Sequence, residues 1–373
     1  MTVQNAGNCN KETAKAVHPT AMWRYMTETP GVASGCLKGQ VAQEAHDLGK
    51  ALADRKIARA YLFGCGTSHF AAIATAYALN ELSGIDSDSY EAFEFARYRL
   101  GPMNSRTAAL GFSHSGRTKV ACEAATAARR LGALTAGFTD NAESPLAKAT
   151  GFLVEGGPGL EPVGPKTRSF VNTVMMGYQV AASVKGDALA LKELEKIGPA
   201  LEEALKLEKQ VKELAERFAG CKRALVVGGG ANWATAQEIA LKFKESVPLG
   251  AEGMEVEDSL HGPAASLDES TLVIGISTEG SSYDKVGNAC QCAAGMGCPV
   301  ISVTNVPYGI DGVETVRSPF SGIREVFSVP LLVLPGYMLV YFSSLARGNN
   351  PDGPRRQDPR YMKARGSIPK VSY

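Results

Sequence analysis

Two short turns hold the residues best suited to chemistry. "GCGTS" at 64–68 and "SHSGRT" at 113–118 each follow an apolar stretch, contain small hydroxyl residues beside a glycine, and precede a helical pattern. The first N–H groups of a helix have no partner inside it. Together with serine and threonine hydroxyls they make a nest for an anion. Gly66, Thr67 and Ser68 in the first turn, and Ser113, His114, Ser115, Arg117 and Thr118 in the second, are the candidate phosphate-binding residues. A catalytic serine in "SHS" is the weaker reading. The G-x-S-x-G elbow is absent, and neighbouring Ser and His side chains do not easily point at each other across a sharp turn. Plain helix capping is a third reading. A dinucleotide site is a fourth: "GCGTSH" starts as G-x-G-x-x but ends in His69, while Asp86 and Asp88 lie near the spacing of a ribose-binding acid.

These turns must be positioned by larger elements, and those elements repeat. "YLFGCGTSHFAAIATAYALNEL" from Tyr61 and "LVVGGGANWATAQEIALKFKES" from Leu225 both read as strand, glycine turn and long helix. At an offset of 164 residues Gly64 falls on Gly228, Gly66 on Gly230, Glu81 on Glu245, Ser113 on Ser277 and Gly116 on Gly280. The register then slips by one, and Thr139 matches Thr304. Short apolar strands alternating with helices imply a parallel sheet covered on both faces. The expected fold class is α/β, with two tandem doubly wound parallel-sheet, three-layer domains. The expected divisions are a lead and helix at 1–45, a phosphate-binding domain at 46–190, a second domain at 191–346 and a tail at 347–373 that closes over the site. The charged segment 185–218 reads as a helical bridge between the copies. In the second copy the matching turn is "STEGSS", where Glu279 replaces Ser115. That carboxylate is expected to repel a phosphate, so one half binds the anion and the other supplies chemistry.

Bulk properties exclude several classes. The chain has 373 residues, 39 Lys+Arg against 38 Asp+Glu and 45% apolar residues. A net charge of +1 gives no global attraction to nucleic acid or an acidic membrane. The polar start lacks the apolar block of a signal peptide. The long apolar run "FSVPLLVLPGYMLVYFSSLA" at 327–346 stands alone, is broken by Pro330, Pro335 and Gly336, and reads as a buried helix rather than a membrane span. Eight scattered cysteines, with Cys290 and Cys292 the one close pair, read as reduced thiols in the cytoplasm.

Taken together, "MWRYMTETP", "GCGTSH", "FEFARYR", "SHSGRT", "KFKES" and "HGP" resemble the SIS (sugar isomerase) domain family over nearly the whole chain after about residue 20. The chain looks most like the double-SIS isomerase portion of glucosamine-6-phosphate synthase and its stand-alone relatives. Those include ketose/aldose amino-sugar isomerases, glucosamine-6-phosphate deaminases and fructosamine-6-phosphate deglycases. The synthase has an added glutaminase domain with an N-terminal cysteine nucleophile. Met1-Thr2 and a short polar lead stand here instead, so glutamine-derived ammonia is not expected.

The resemblance implies Glu245 as the acid/base that moves a proton between sugar C1 and C2, with Lys242 three residues before it on a neighbouring part of the helix face. It implies that His261 opens the sugar ring in the active site of a neighbouring subunit, a task suited to imidazole. A homodimer or higher homo-oligomer with shared active sites follows. It also implies a lysine on the tail that can form a Schiff base; "DPRYMKARGSI" makes Lys363 the counterpart, while "NPDGPR" offers an alignment with none. Glu238 is a weaker candidate for orienting sugar hydroxyls. In "EPVGPKTRSF" the cations Lys166 and Arg168 flank Thr167, and with Arg117 they suggest a substrate carrying a second anion. The expected substrate is an amino-substituted hexose 6-phosphate, isomerised or stripped of its amine, with no cofactor, metal, nucleic acid or membrane involved. The rival is a non-catalytic sugar-phosphate sensor built on the same domains.

Overall fold

The computed structural model describes residues 17–366. In the first half, β1 (Arg59–Gly64), β2 (Asp86–Glu91), β3 (Thr107–Phe112), β4 (Leu134–Thr139) and β5 (Phe152–Glu155) form a parallel sheet in the order β2-β1-β3-β4-β5. In the second half, β6 (Arg223–Gly228), β7 (Gly250–Glu255), β8 (Thr271–Ile276), β9 (Val300–Thr304) and β10 (Val313–Arg317) form another. Its order, β7-β6-β8-β9-β10, has the same topology. The repeat in the sequence is therefore a repeat of architecture, and the expected two doubly wound sheets are present. The central strands β3, β4, β8 and β9 are buried at every residue, as the helix layers on both faces require.

Both sheets share one core. A single apolar cluster runs from Leu62, Ile73 and Phe112 in the first half to Phe243, Ile274 and Tyr341 in the second. At its centre the first helix of each copy, Thr67–Ala78 and Asn232–Ser246, pack together. The apolar run near the end forms the helix Val329–Ala346. Among the described residues it is the one helix long and apolar enough to cross a membrane, and 89% of that stretch lies inside the fold. A Cβ at Gly336 would stand 2.2 Å from Ile239 Cδ1. Glycine thus lets this helix press against Asn232–Ser246.

The helical segment expected at 185–218 is built of three helices: Ala188–Leu194, Ile197–Leu205 and Glu208–Arg217. Pro199 accounts for the first break. It falls in the first turn of the middle helix, where its missing N–H has no intrahelical partner to lose. Neighbouring Gly198 allows close packing on the helix Thr29–Cys36, since a Cβ there would lie 2.0 Å from Ser34 Oγ.

Candidate active site

The two hydroxyl turns follow β1 and β3, adjacent strands at the point where the sheet order reverses. That is where doubly wound sheets bind ligands. A Cβ on Gly64 would stand 2.7 Å from the Ser68 and His69 backbone, so the strand turns into the Thr67–Ala78 helix only through glycine. Gly66 caps that helix with φ 55°. In the second turn Ser113 Oγ and Thr118 Oγ1 are 3.0 Å apart, and Ser115 Oγ accepts the Arg117 N–H at 3.3 Å. Thr118 N-caps the helix Lys119–Arg130. Gly116 has φ 63°, and a Cβ there would meet Ser144 Oγ at 2.1 Å.

His114 holds this turn in place instead of facing a ligand. Its Nε2 accepts the Glu161 N–H at 2.9 Å, so its proton sits on Nδ1 and is donated to Asp140 Oδ2 at 2.5 Å. The other Asp140 oxygen accepts from Asn172 Nδ2 at 2.8 Å. Both ring nitrogens are thus committed within the protein.

The helix Asn232–Ser246 places Glu238, Lys242 and Glu245 along one stripe, four and three residues apart. Lys242 is completely buried and its ammonium has three acceptors: Glu245 Oε2 at 2.8 Å, Thr67 Oγ1 at 2.9 Å and Glu238 Oε1 at 3.1 Å. It therefore ties the first hydroxyl turn to the carboxylate of the other half. Burial pulls the Lys242 ammonium down, but Glu238 and Glu245 more than offset this and hold it above the usual lysine range. Glu238 is also fully buried, and burial pushes its carboxyl up to about 7 against the opposing pull of Lys242. Tyr337 donates to its Oε1 at 2.8 Å, and Oε2 has no partner. Glu238 is thus walled off, whereas the Glu245 side chain is 35% exposed and opens into a cleft.

That cleft has a volume of about 680 Å3. Its charged lining is Glu245 with five cations: Lys166, Lys244, Arg355, Arg356 and Arg365. Lys166 donates to the carbonyls of Glu161 and, at 2.5 Å, Val163, and burial lowers its pKa. The hydroxyl turns do not themselves line this cleft. They connect to it through Lys242 and through the 161–166 segment, which His114 anchors on one side while Lys166 lines the cleft on the other.

Several expectations need correction. Thr167 is buried, and both its N–H and its hydroxyl donate to the Glu161 carboxylate, at 3.0 and 3.1 Å. It occupies the N-cap position of the following helix, whose first N–H groups donate to Glu161, and has no donor left for a ligand. Arg168 turns away from the cleft to Glu28 at 2.5 Å and to the Gly159 carbonyl, and lies over the Tyr25 ring. Lys363 is exposed on the helix Pro359–Gly366; Tyr361, Ala364 and Arg365 of that helix line the cleft, and Lys363 does not. Glu279 is exposed, and its backbone N–H donates to Asn305 Oδ1, so its side chain does not fill the second turn. Asp86 and Asp88 pair with Arg59 near the start of β1, at the opposite end of the sheet from the glycine turn, which removes the ribose reading.

His261 stands 80% exposed after the short helix Val256–Leu260, 3.4 Å from Glu257 and away from the Glu245 cleft. Arg117 is likewise exposed. Sequence reasoning missed Lys244, Arg355, Arg356 and Arg365. The signal for the three arginines was the basic run "RRQDPRYMKAR", read there as a source of one lysine; Lys244 stands in "KFKES", between Lys242 and Glu245.

Two halves of identical topology, a Thr67–Lys242–Glu245 bridge between their first helices and hydroxyl turns at the switch point define a tandem doubly wound α/β protein. Sequence comparison gives the family: the SIS domain profile matches residues 51–183 and 217–310, and the chain belongs to the SIS domain family. It is 30% identical over 349 residues to glutamine--fructose-6-phosphate aminotransferase [isomerizing] of Gloeobacter violaceus, covering 90% of this chain and 57% of that protein. The chain thus spans little more than half the length of such curated relatives. Its fold matches the C-terminal domain of glucosamine-fructose-6-phosphate aminotransferase from Francisella tularensis with a TM-score of 0.79 and 19% identity, over 89% of this chain and 97% of that one. It matches glucosamine-6-phosphate deaminase from Thermotoga maritima with a TM-score of 0.71 and 19% identity, over 90% and 97% of the two chains.

Proposed function

We propose that the chain is a phosphosugar isomerase-type enzyme acting on an amino-substituted hexose 6-phosphate. The observation that carries this reading is the Thr67–Lys242–Glu245 bridge, which joins an anion turn of one half to a solvent-facing carboxylate of the other. In this scheme the hydroxyls and N–H groups at Thr67, Ser68, Ser113, Ser115 and Thr118 hold the phosphate. Glu245 takes the proton from one of C1 and C2 and returns it to the other through an enediol or enolamine. Lys242 fixes the Glu245 carboxylate and remains charged beside it. His261 reaches the site of a second copy of the chain and moves the ring-opening proton, which its exposure in a single chain suits.

Isomerisation, deamination and deglycation share that intermediate. The five cations around Glu245 favour a substrate with a second anion, such as the carboxylate of an amino-acid conjugate. The test is turnover, followed by mass spectrometry, of glucosamine 6-phosphate, fructose 6-phosphate and fructosamine 6-phosphate conjugates with and without a carboxylate. Turnover is expected on an amino-substituted sugar, fastest with the carboxylate present, and Glu245→Gln should lower it at least a hundredfold while ligand binding persists. Inertness toward the whole panel, or full activity in Glu245→Gln, refutes the reading.

A further inference from the structure

The second half keeps the same anion turn after β8, and it is occupied. Glu325 Oε2 accepts the Ser281 N–H at 2.8 Å, and Oε1 accepts the Ser282 hydroxyl at 2.7 Å and the Ser282 N–H at 3.4 Å. Ser282 is the N-cap of the helix Tyr283–Gly295. At the 164-residue offset, Ser281 and Ser282 are the counterparts of Arg117 and Thr118. A Cβ on Gly280 would stand 2.3 Å from Glu325 Oε2, so glycine is what admits the carboxylate.

A second, independent observation concerns the position of Glu325 in the repeat. It lies four residues before the helix Val329–Ala346, and Gly164 lies four residues before the equal-length helix Arg168–Lys185. Gly164 lines the cleft that holds Glu245. Glu325 lines a second cleft, of about 380 Å3, that holds Glu81, the counterpart of Glu245. At equivalent places, one half has no side chain and the other has a carboxylate seated in the turn.

We propose that Glu325 is a built-in substitute for a bound phosphate, which confines anion binding to the first half. The turn offers its N–H and hydroxyl donors to a single anion. A phosphate placed there would meet a carboxylate at contact distance, with Glu81, Glu255 and Glu257 lining the same cleft and its lining cation, Lys285, paired with Glu257. The identity of the anion in the first half rests on the function proposed above; the occupation of the second turn does not.

Inorganic phosphate titrated by calorimetry onto the wild-type chain, Glu325→Ala and Glu325→Ala/Glu81→Gln tests this. The Ala variants should take up one more phosphate per chain than wild type, and adding Ser282→Ala should weaken that added site about tenfold. Equal stoichiometry in all of them overturns the proposal. Wild type binding none and Glu325→Ala binding one leaves it standing and removes the phosphate reading of the first half. One site in both does the reverse. Should Glu325→Ala be recovered unfolded, refolding in phosphate or acetate against chloride of equal ionic strength decides. Recovery that depends on the oxyanion supports the proposal, and recovery indifferent to it, or no recovery, overturns it.

Discussion

Glu238→Gln isolates the electrostatics beneath the site. In the folded chain burial holds the Glu238 carboxyl at about 7, against an ordinary value of 4.5. Below pH 4.5 both folded and unfolded chains carry the proton, and Glu238 contributes no pH dependence. Between 4.5 and 7 the unfolded chain loses the proton while the folded chain keeps it, so stability falls as pH rises. Above 7 both are ionised and the loss is complete. The loss between pH 5 and pH 8 amounts to about 2.5 kcal/mol. Glutamine fits the same space. Its carbonyl can take the Oε1 position, accepting from Tyr337 and Lys242, and its amide the unpartnered Oε2 position. Apart from Glu238 and the charges it couples to, Lys242 and Glu245, the titrating groups are the same in both proteins, so the difference between wild type and variant reports Glu238 with that coupling. Urea denaturation at pH 5 and pH 8 is the assay. Glu238→Gln should gain about 2.5 kcal/mol on wild type between the two. A gain under about 0.5 kcal/mol, or a gain toward acid pH, would refute the assignment of a buried, raised carboxyl.

Two further outcomes follow from the same packing. Lys242→Met should destabilise the chain by about 3–5 kcal/mol, because Glu238 is left buried without its cation. Glu238→Gln/Lys242→Met should recover much of that loss in a double-mutant cycle read by urea denaturation, and strict additivity would show the pair to be uncoupled. Gly116→Ala should cost about 2–3 kcal/mol, from the left-handed backbone and from displacing the Ser144 cap of the helix Pro145–Ala149. Thermal melts check it, and an unchanged Tm would show that the turn has another conformation open to it.

How legible the site was depended on the range of each interaction. The repeat, the glycine turns and the hydroxyl residues were legible because a strand, a tight turn and a helix start are written in adjacent residues. His114 was legible as a member of the turn but not as its anchor, since Asp140 and Glu161 come from other segments. Thr167 and Arg168 looked like site residues because they directly follow Lys166 in sequence. Successive residues at a helix start point in different directions, and only Lys166 faces the cleft.

The sequence by itself determined a duplicated α/β chain, with glycine and hydroxyl turns after the strands of the first copy and Glu245 on the first helix of the second. Tertiary structure alone decided that Lys242 reaches 175 residues back to Thr67, that the tail helix lines the same cleft as Glu245, and that Glu325 rather than Glu279 fills the second turn. The physical reason is that backbone preferences act over a few residues. Which charges meet depends on how two helices and two clefts pack around a shared core, and no local pattern encodes that.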